Sequence, residues 1–210
     1  FRQWQYVRGQ AEDRYNAPAR ADPALLSRYW GNEARIRAHL VNVRPDRPEE
    51  TWPAARTFRA AIQFLEDNRT AEPFYLYVDT FTPHETWEAP LHYYDLYGQR
   101  EDREPVCITV PYGPLSRAPQ YEGRLSSIRA NYAGLVTMVD TWFGRLLDTI
   151  DRLGQRERTL VILTSDHGTN FADNPECVIG KPENALYPGT MDVPLLVRHP
   201  QGTGAGTVCD

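Results

Sequence analysis

Apolar side chains recur along the chain at spacings that predict two amphipathic helices. From residue 52 they recur in steps of three and four, which places them on one helical face: Trp52, Ala55, Phe58, Ile62 and Leu65. Thr51 is the expected N-cap of this helix, and Pro53 suits its first turn. The same spacing over residues 125–153 predicts the longest helix, with Gly154 as its C-cap.

Three apolar runs predict β-strands, at residues 74–78, 159–164 and 193–197. The first run, FYLYV, is apolar on both faces, which favours a strand that is covered on both sides, as in a parallel sheet. Helices and strands alternate along the chain. We therefore predict an α/β fold with a mostly parallel sheet and helices on both of its faces.

Two stretches lack this periodicity. Residues 1–50 are polar and Arg-rich with several prolines, so we expect an irregular wrapping or linking segment with one short helix around residues 25–40. Residues 51–210 then form the α/β portion. Within that portion, residues 88–122 are rich in Pro, Tyr and charge, and a long connection of this kind often forms a lid or a substrate wall.

Composition narrows the classes of function. The chain has 210 residues and a net charge of -5 without basic runs, so no nucleic-acid partner is expected. No apolar stretch reaches the roughly 20 residues that a membrane span needs. Cys107, Cys177 and Cys209 show no paired spacing, and we expect free thiols, which leaves the localisation open. The chain begins at Phe1 without an initiator Met or a signal pattern, so we interpret its start as a cut.

A polar pair ends the second predicted strand, where TLVILTSDHG runs from apolar residues into Asp166 and His167. Ligands of open α/β sheets bind beyond the carboxyl ends of the strands. Carboxylate oxygens suit calcium, magnesium and manganese, whereas imidazole suits zinc and other transition metals. From these residues alone, a metal site and a local structural role remain equal alternatives. In the structural role Asp166 caps the next turn and His167 bonds to the backbone.

Two further side chains are candidates for contact with an anion. His84, in TPHETW, follows the first predicted strand and would donate a proton or bind an anion; the alternative is an ordinary loop histidine. Lys181, in VIGKPENALYP, is the only lysine of the chain and suits a tetrahedral oxyanion, although one lysine among many arginines could be chance. Gly180 and Pro182 favour a stiff turn around it.

The chain resembles the sulfatase family of the alkaline phosphatase superfamily in four stretches that occur in the order FYLYVDTFTPHETWEAP, RANYAGLVTMVDTWFGRLLDTIDRLG, TLVILTSDHG and GKPENALYPGTMDVPLLVRHP. The resemblance implies an alkaline-phosphatase-like three-layer sandwich, of which this chain would be an internal fragment, incomplete at both ends. It also implies a metal-dependent sulfuric ester hydrolase that acts on a small-molecule or saccharide sulfate ester.

The resemblance also implies roles for individual residues. Asp166 and His167 match metal-ligand positions of the family, whose metal is usually calcium, with manganese or zinc as alternatives. His84 matches the histidine that contacts the sulfate and protonates the departing alcohol. Lys181 matches the lysine that contacts the sulfate oxygens.

The sequence departs from the family pattern at two places. The family's nucleophile lies in a Cys/Ser-x-Pro-x-Arg motif, whose first residue becomes formylglycine, and this motif is absent from the 210 residues. We therefore expect formylglycine in a missing N-terminal part and no activity of this chain alone. After Gly168 the family's acidic residue and Gly-Glu-His-Gly are replaced by TNFADNPECVIGK.

Three alternatives to sulfate ester hydrolysis stay open. The Asp-His pair favours a phosphonate monoester or phosphodiester hydrolase of the same superfamily. A non-catalytic binding module on the same scaffold is the second alternative. A mutase of the same superfamily, which needs a phosphosugar substrate, is the third alternative. Apart from the chemistry, a homo-oligomer would cover the sheet edges that a fragment of the α/β domain exposes.

Overall fold

A computed structural model describes residues 3–10, 13, 21–43 and 48–208. Helices and strands are interspersed along these residues, which confirms the predicted α/β class. The α-helices are α1 (Pro23–Leu26), α2 (Glu33–Asn42), α3 (Pro53–Asp67), α4 (Leu91–Tyr94), α5 (Leu125–Arg152) and α6 (Pro188–Met191). The strands are β1 (Tyr29–Trp30), β2 (Val106–Cys107), β3 (Gly113–Pro114), β4 (Val161–Thr164), β5 (Asn170–Phe171), β6 (Val178–Gly180) and β7 (Leu195–Arg198).

The described residues divide into two compact units. Unit 1 comprises the described residues up to Thr109 together with Gly123–Leu146. Unit 2 comprises Val110–Glu122 and the described residues from Leu147 onward. The predicted boundary at residue 50 stays a prediction.

Unit 1 contains regular structure where an irregular segment was expected. Asp22 caps α1 by accepting from Ala24 N, and Asn32 caps α2 by accepting from Arg35 N. Strand β1 pairs in parallel with β2. These elements share one core: Ala21, Tyr29, Ile36, Leu40, Val106 and Ile108. The expectation of a largely irregular segment is therefore wrong for residues 21–43, because two capped helices and a strand form there, and α2 and β1 bury apolar side chains. Residues 1, 2, 11, 12, 14–20 and 44–47 lie outside the described residues.

The two predicted helices are confirmed. Helix α3 begins at Pro53, and its N-cap is Trp52 rather than the expected Thr51. Its apolar face is buried, with Phe58 and Leu65 at 4% and 2% exposure. Helix α5 runs over 28 residues as predicted, and Gly154 follows it with φ +68°.

The second and third predicted strands are confirmed as β4 and β7. They pair with each other in antiparallel register, with Val161 opposite Arg198. Unit 2 also holds an antiparallel sheet of order β3-β6-β5. Among the ladders of the described residues, the expected parallel arrangement is found only at β1 and β2.

The first predicted strand, at residues 74–78, forms no ladder with any described residue. Its side chains alternate in exposure: Tyr75 and Tyr77 are 73% and 65% exposed, whereas Phe74, Leu76 and Val78 are half-buried. The prediction of a strand covered on both faces is therefore wrong here. The segment is half-buried on one face and exposed on the other, and no described strand supplies the hydrogen-bond partners that a ladder needs.

Residues 88–122 are less irregular than expected, since they include α4, β2 and β3. Tyr93 and Tyr94 are buried, so part of this stretch is core rather than lid. Cys107 is a buried free thiol whose pKa is raised by burial to about 11, and Cys177 is free and exposed. Cys209 lies outside the described residues. No described helix is long and apolar enough to cross a membrane.

Candidate functional site

His84 lies in unit 1, on the loop that follows the extended residues 74–78. Its ring packs against Phe81, with 4.2 Å between ring centroids. Its Nδ1 lies 2.9 Å from the carbonyl oxygen of Glu85 and 2.9 Å from the carboxylate of the same residue. The side chain is 30% exposed. The ring is thus oriented through Nδ1.

The loop around His84 is anchored at several points. Gln10 Oε1 accepts a bond of 2.8 Å from Phe81 N. Trp87 donates through Nε1 to Pro83 O at 2.9 Å and through its backbone N–H to the carbonyl of Ile108 at 2.8 Å. These bonds fix the backbone of the loop at several points. Such anchoring favours a histidine held in a defined position over an ordinary loop histidine.

A small cavity of about 30 Å³ borders His84. His39, Thr82 and Thr86 also line it, together with Trp52, whose buried Nε1 has no hydrogen-bond partner among the described residues. A volume of that size holds about one water molecule. Sequence patterns did not single out His39 or Thr86. His39 lies on α2, and only the fold brings it to the loop that carries Thr86.

Asp166 and His167 follow β4 in unit 2. Asp166 Oδ1 accepts from His167 N at 3.0 Å, and His167 Nδ1 lies 2.9 Å from Gly168 O. The backbone bond considered above for His167 is therefore present, whereas Asp166 bonds to the N–H of the next residue and no turn follows it to be capped. The outer atoms nevertheless converge, with 3.7 Å between His167 Nε2 and Asp166 Oδ2, and the Asp166 side chain is 88% exposed.

These two side chains fit two positions of a metal site and no more. A carboxylate oxygen and an imidazole nitrogen at this separation can share one ion. No group of three or more His, Cys, Asp or Glu that could hold a metal occurs among the described residues. A metal at Asp166 and His167 would therefore need further ligands.

Gly168 is required by a close backbone approach. A Cβ at this position would lie 2.2 Å from Gly189 O, although the backbone φ is not in the left-handed region. Gly168 N donates to Thr190 O at 2.8 Å. The residue after the Asp-His pair is thus pressed against the start of α6, which fixes where the pair leaves the strand.

We expect Gly168→Ala to destabilise the protein by about 1–3 kcal/mol, because the added methyl group overlaps a backbone oxygen that cannot swing away. Gly144→Ala is the matched control: Gly144 lies inside α5, and its Cβ would meet no atom within 4 Å. That control should be neutral or stabilising by up to about 1 kcal/mol. Urea unfolding of both variants gives the comparison, and equal midpoints would contradict the assigned contact.

Lys181 directly follows Gly180, the last residue of β6, which more distant residues hold in place. Gly180 has φ +71°, and a Cβ there would lie 2.3 Å from Tyr112 Cδ1. Buried Asn170 donates to Gly180 O at 2.9 Å and to Thr190 Oγ1 at 2.6 Å. The Lys181 ammonium lies 5.7 Å from the centroid of the Tyr112 ring. The expected stiff turn around Lys181 stays a prediction, and Asn170 and Tyr112 were not recognised from the sequence.

The four candidate residues divide between the units. His84 belongs to unit 1, and Asp166, His167 and Lys181 belong to unit 2. Within unit 2, the side chains of Asp166 and His167 come together.

Comparison with known proteins gives a consistent result. The family model described as Sulfatase matches residues 20–208. The chain is 32% identical over 160 residues to human iduronate 2-sulfatase, an alignment that covers 62% of this chain and 28% of that protein. It is 30% identical over 182 residues to the ulvan-active sulfatase of Formosa agariphila, covering 82% of this chain and 33% of that protein.

The fold is similar to that of a solved hydrolase. The crystal structure of the phosphonate monoester hydrolase of Agrobacterium radiobacter matches with a TM-score of 0.59 and 22% identity, covering 78% of this chain and 36% of that chain. This likeness concerns the alkaline-phosphatase-like fold. The chain spans between 28% and 36% of the length of these three proteins.

Proposed function

Because the chain belongs to the sulfatase family, whose model matches residues 20–208, we propose that the whole protein hydrolyses sulfate esters with the help of a divalent metal ion. The observation that carries this proposal is the Asp-His pair at the end of β4, whose outer atoms converge to 3.7 Å. Iduronate 2-sulfatase and the ulvan-active sulfatase are named for sulfated saccharides, which supports a saccharide sulfate ester as the substrate. Homo-oligomerisation stays a prediction.

His84 is proposed as the general acid. Ester cleavage leaves negative charge on the departing oxygen, and a positioned imidazolium can neutralise it by giving up a proton. The Nδ1 atom of His84 faces Glu85. The proton would therefore pass from Nε2 to the leaving oxygen.

Lys181 is proposed to bind the sulfate oxygens. An ammonium is a compact charge with three donors, so it can stabilise charge that develops on a tetrahedral group. Gly180, held by Asn170, restricts the backbone from which this flexible side chain extends. Lys181 thus needs less reordering when the anion binds.

Asp166 and His167 are proposed as two of the metal ligands. A bound calcium ion would polarise the sulfate oxygens and the nucleophile as a Lewis acid, and manganese or zinc would do the same with more affinity for the imidazole. The nucleophile is proposed to be a formylglycine outside these 210 residues, since no Cys/Ser-x-Pro-x-Arg motif occurs in them. For the same reason, this chain alone is proposed to be inactive.

Metal binding to the full-length protein tests this proposal. Asp166→Asn keeps the shape of the side chain but removes its charge, so we expect the metal affinity measured by calorimetry to fall at least about tenfold. Hydrolysis of an aryl sulfate should then require correspondingly more metal. Asp173→Asn is the matched control, because this carboxylate of unit 2 accepts from Phe171 N. An unchanged metal affinity in Asp166→Asn would remove Asp166 from the ligand set.

Hydrolysis of a phosphonate monoester or phosphodiester is the second candidate function. The specific observation that favours it is the imidazole of His167 beside the carboxylate of Asp166, a donor pair that suits manganese or zinc better than calcium. Metal preference therefore distinguishes the two candidates. Tighter binding of manganese or zinc than of calcium, together with phosphonate turnover, would favour the second.

A further inference from the structure

The carboxylate of Glu88 is fully buried in unit 1 and is surrounded by hydrogen-bond donors. Tyr29 Oη lies 2.9 Å and 2.8 Å from its two oxygens, and His39 Nε2 lies 2.8 Å from Oε2. Arg103 Nη2 is 3.6 Å from Oε1. Burial alone would raise the pKa of Glu88, but the hydrogen bonds and charges of His39, Arg103 and Tyr29 outweigh it and hold the pKa below its usual value. An ionised carboxylate only accepts hydrogen bonds.

The carboxylate of Glu88 orients the His39 ring and determines that its Nε2 atom carries a hydrogen. Because Glu88 only accepts, His39 Nε2 must carry a hydrogen. The other ring nitrogen, Nδ1, lies 2.6 Å from Thr86 Oγ1. In the neutral ring Thr86 donates to Nδ1, and in the imidazolium Nδ1 donates to Thr86. The bond between His39 and Thr86 is therefore available in both states of the ring.

Thr86 lies two residues after His84 on the same loop. His39, Thr86 and His84 line the same cavity of about 30 Å³. The His84 ring is packed against Phe81 and bonded to Glu85, so its direction follows the backbone between these residues. His39 thus couples helix α2 to the loop at a point next to the proposed general acid.

We propose that His39 is a positioning residue for His84. Glu88 orients the His39 ring, His39 holds the hydroxyl of Thr86, and Thr86 fixes the part of the loop that presents His84. The catalytic consequence rests on the proposed function, in which His84 is the general acid. The coupling itself is a property of unit 1 and can be measured without turnover.

Thr86→Val tests the coupling, because it removes the hydroxyl and keeps the size of the side chain. In the 210-residue chain with ¹⁵N-labelled histidine, we expect the ring signals of His84 to shift and broaden in this variant. His39 should keep the hydrogen on Nε2, and Thr86→Ser should restore the His84 signals. The matched control is Thr57→Val, which removes a buried hydroxyl that donates to Pro53 O at 3.0 Å and should leave His84 unchanged.

Unchanged His84 signals in a folded Thr86→Val chain would overturn the proposal, as would an equal shift in the control. In the full-length protein, Thr86→Val is expected to lower kcat about tenfold on esters with poor leaving groups, with KM nearly constant and Thr86→Ser restoring kcat. A rise in KM alone, or a loss of kcat that Thr86→Ser does not reverse, would mean that Thr86 and His39 contribute only to the packing of unit 1. If His84 itself proves dispensable for turnover while its signals still move, the proposed function fails and the coupling stands.

Discussion

His84→Ala in the full-length protein is expected to slow the hydrolysis of esters with poor leaving groups by about 10²–10⁴-fold, the usual contribution of a general acid. Esters with good leaving groups should lose much less, because their departing oxygen needs little help from a proton. The measurement is the dependence of kcat/KM on the pKa of the leaving alcohol, which should become steeper in the variant. This expectation rests on the orientation of the His84 ring, which packs against Phe81 and is bonded through Nδ1 to Glu85.

His92→Ala is the matched control for this experiment. His92 also belongs to unit 1 and also contacts a glutamate, with Nε2 2.9 Å from Glu49 Oε2. It takes no part in the proposed chemistry, so its removal should leave the leaving-group dependence unchanged. Equal losses on good and poor leaving groups in His84→Ala would exclude the general-acid role.

Glu88→Ala is expected to destabilise unit 1 by about 3–5 kcal/mol, the cost of breaking a buried ion pair by removing one partner. The substitution leaves His39 and Arg103 without their carboxylate in a site where Glu88 is 1% exposed. Glu104→Ala is the matched control. Glu104 accepts two short bonds from Arg28, but its side chain is 46% exposed, so the loss should stay within about 1 kcal/mol.

Urea unfolding of the 210-residue chain measures both values, and equal losses would contradict a special role for the buried carboxylate.

The pH dependence of the free energy of unfolding gives a second check on Glu88. The pKa of Glu88 is held below its ordinary value of 4.5, so its stabilisation is present above that pH and is lost as the pH falls further. The stability difference between wild type and Glu88→Gln should therefore narrow in acid. A difference that widens in acid would have the wrong sign.

Periodicity was sufficient to predict the long elements. Helices α3 and α5 each bury one apolar face, so local pattern and tertiary burial agree for them. Strands β4 and β7 form where apolar runs predict them, but burial does not follow the pattern there, since Ile162 is 56% and Leu195 67% exposed. The strand prediction for residues 74–78 was wrong because an apolar run indicates an extended chain but does not identify the strands beside it. Pairing depends on residues distant in sequence, and no described strand pairs with it.

The sequence marks candidate residues where polar residues end an apolar run, as at Asp166, or where a rare residue type stands out, as at Lys181, and their role in a site stays a prediction. The residues that hold these candidates in place were not predicted. Tyr112 packs against Gly180 from a distance of 68 residues, and His39 meets Glu88 across 49. Such contacts arise only when the chain folds, because neither residue type nor local spacing marks them. His39 in particular looks like any polar residue of a short helix.

The most direct test of the proposed sulfate chemistry is the ratio of kcat/KM for an aryl sulfate to that for an aryl phosphonate monoester, measured on the full-length protein with calcium and with manganese. We expect the sulfate to be the better substrate, with turnover lost on chelation of the metal and restored by calcium. A preference for the phosphonate would contradict sulfate hydrolysis and favour the second candidate. Absence of turnover on both esters with metal present would contradict a catalytic role altogether and leave a binding module.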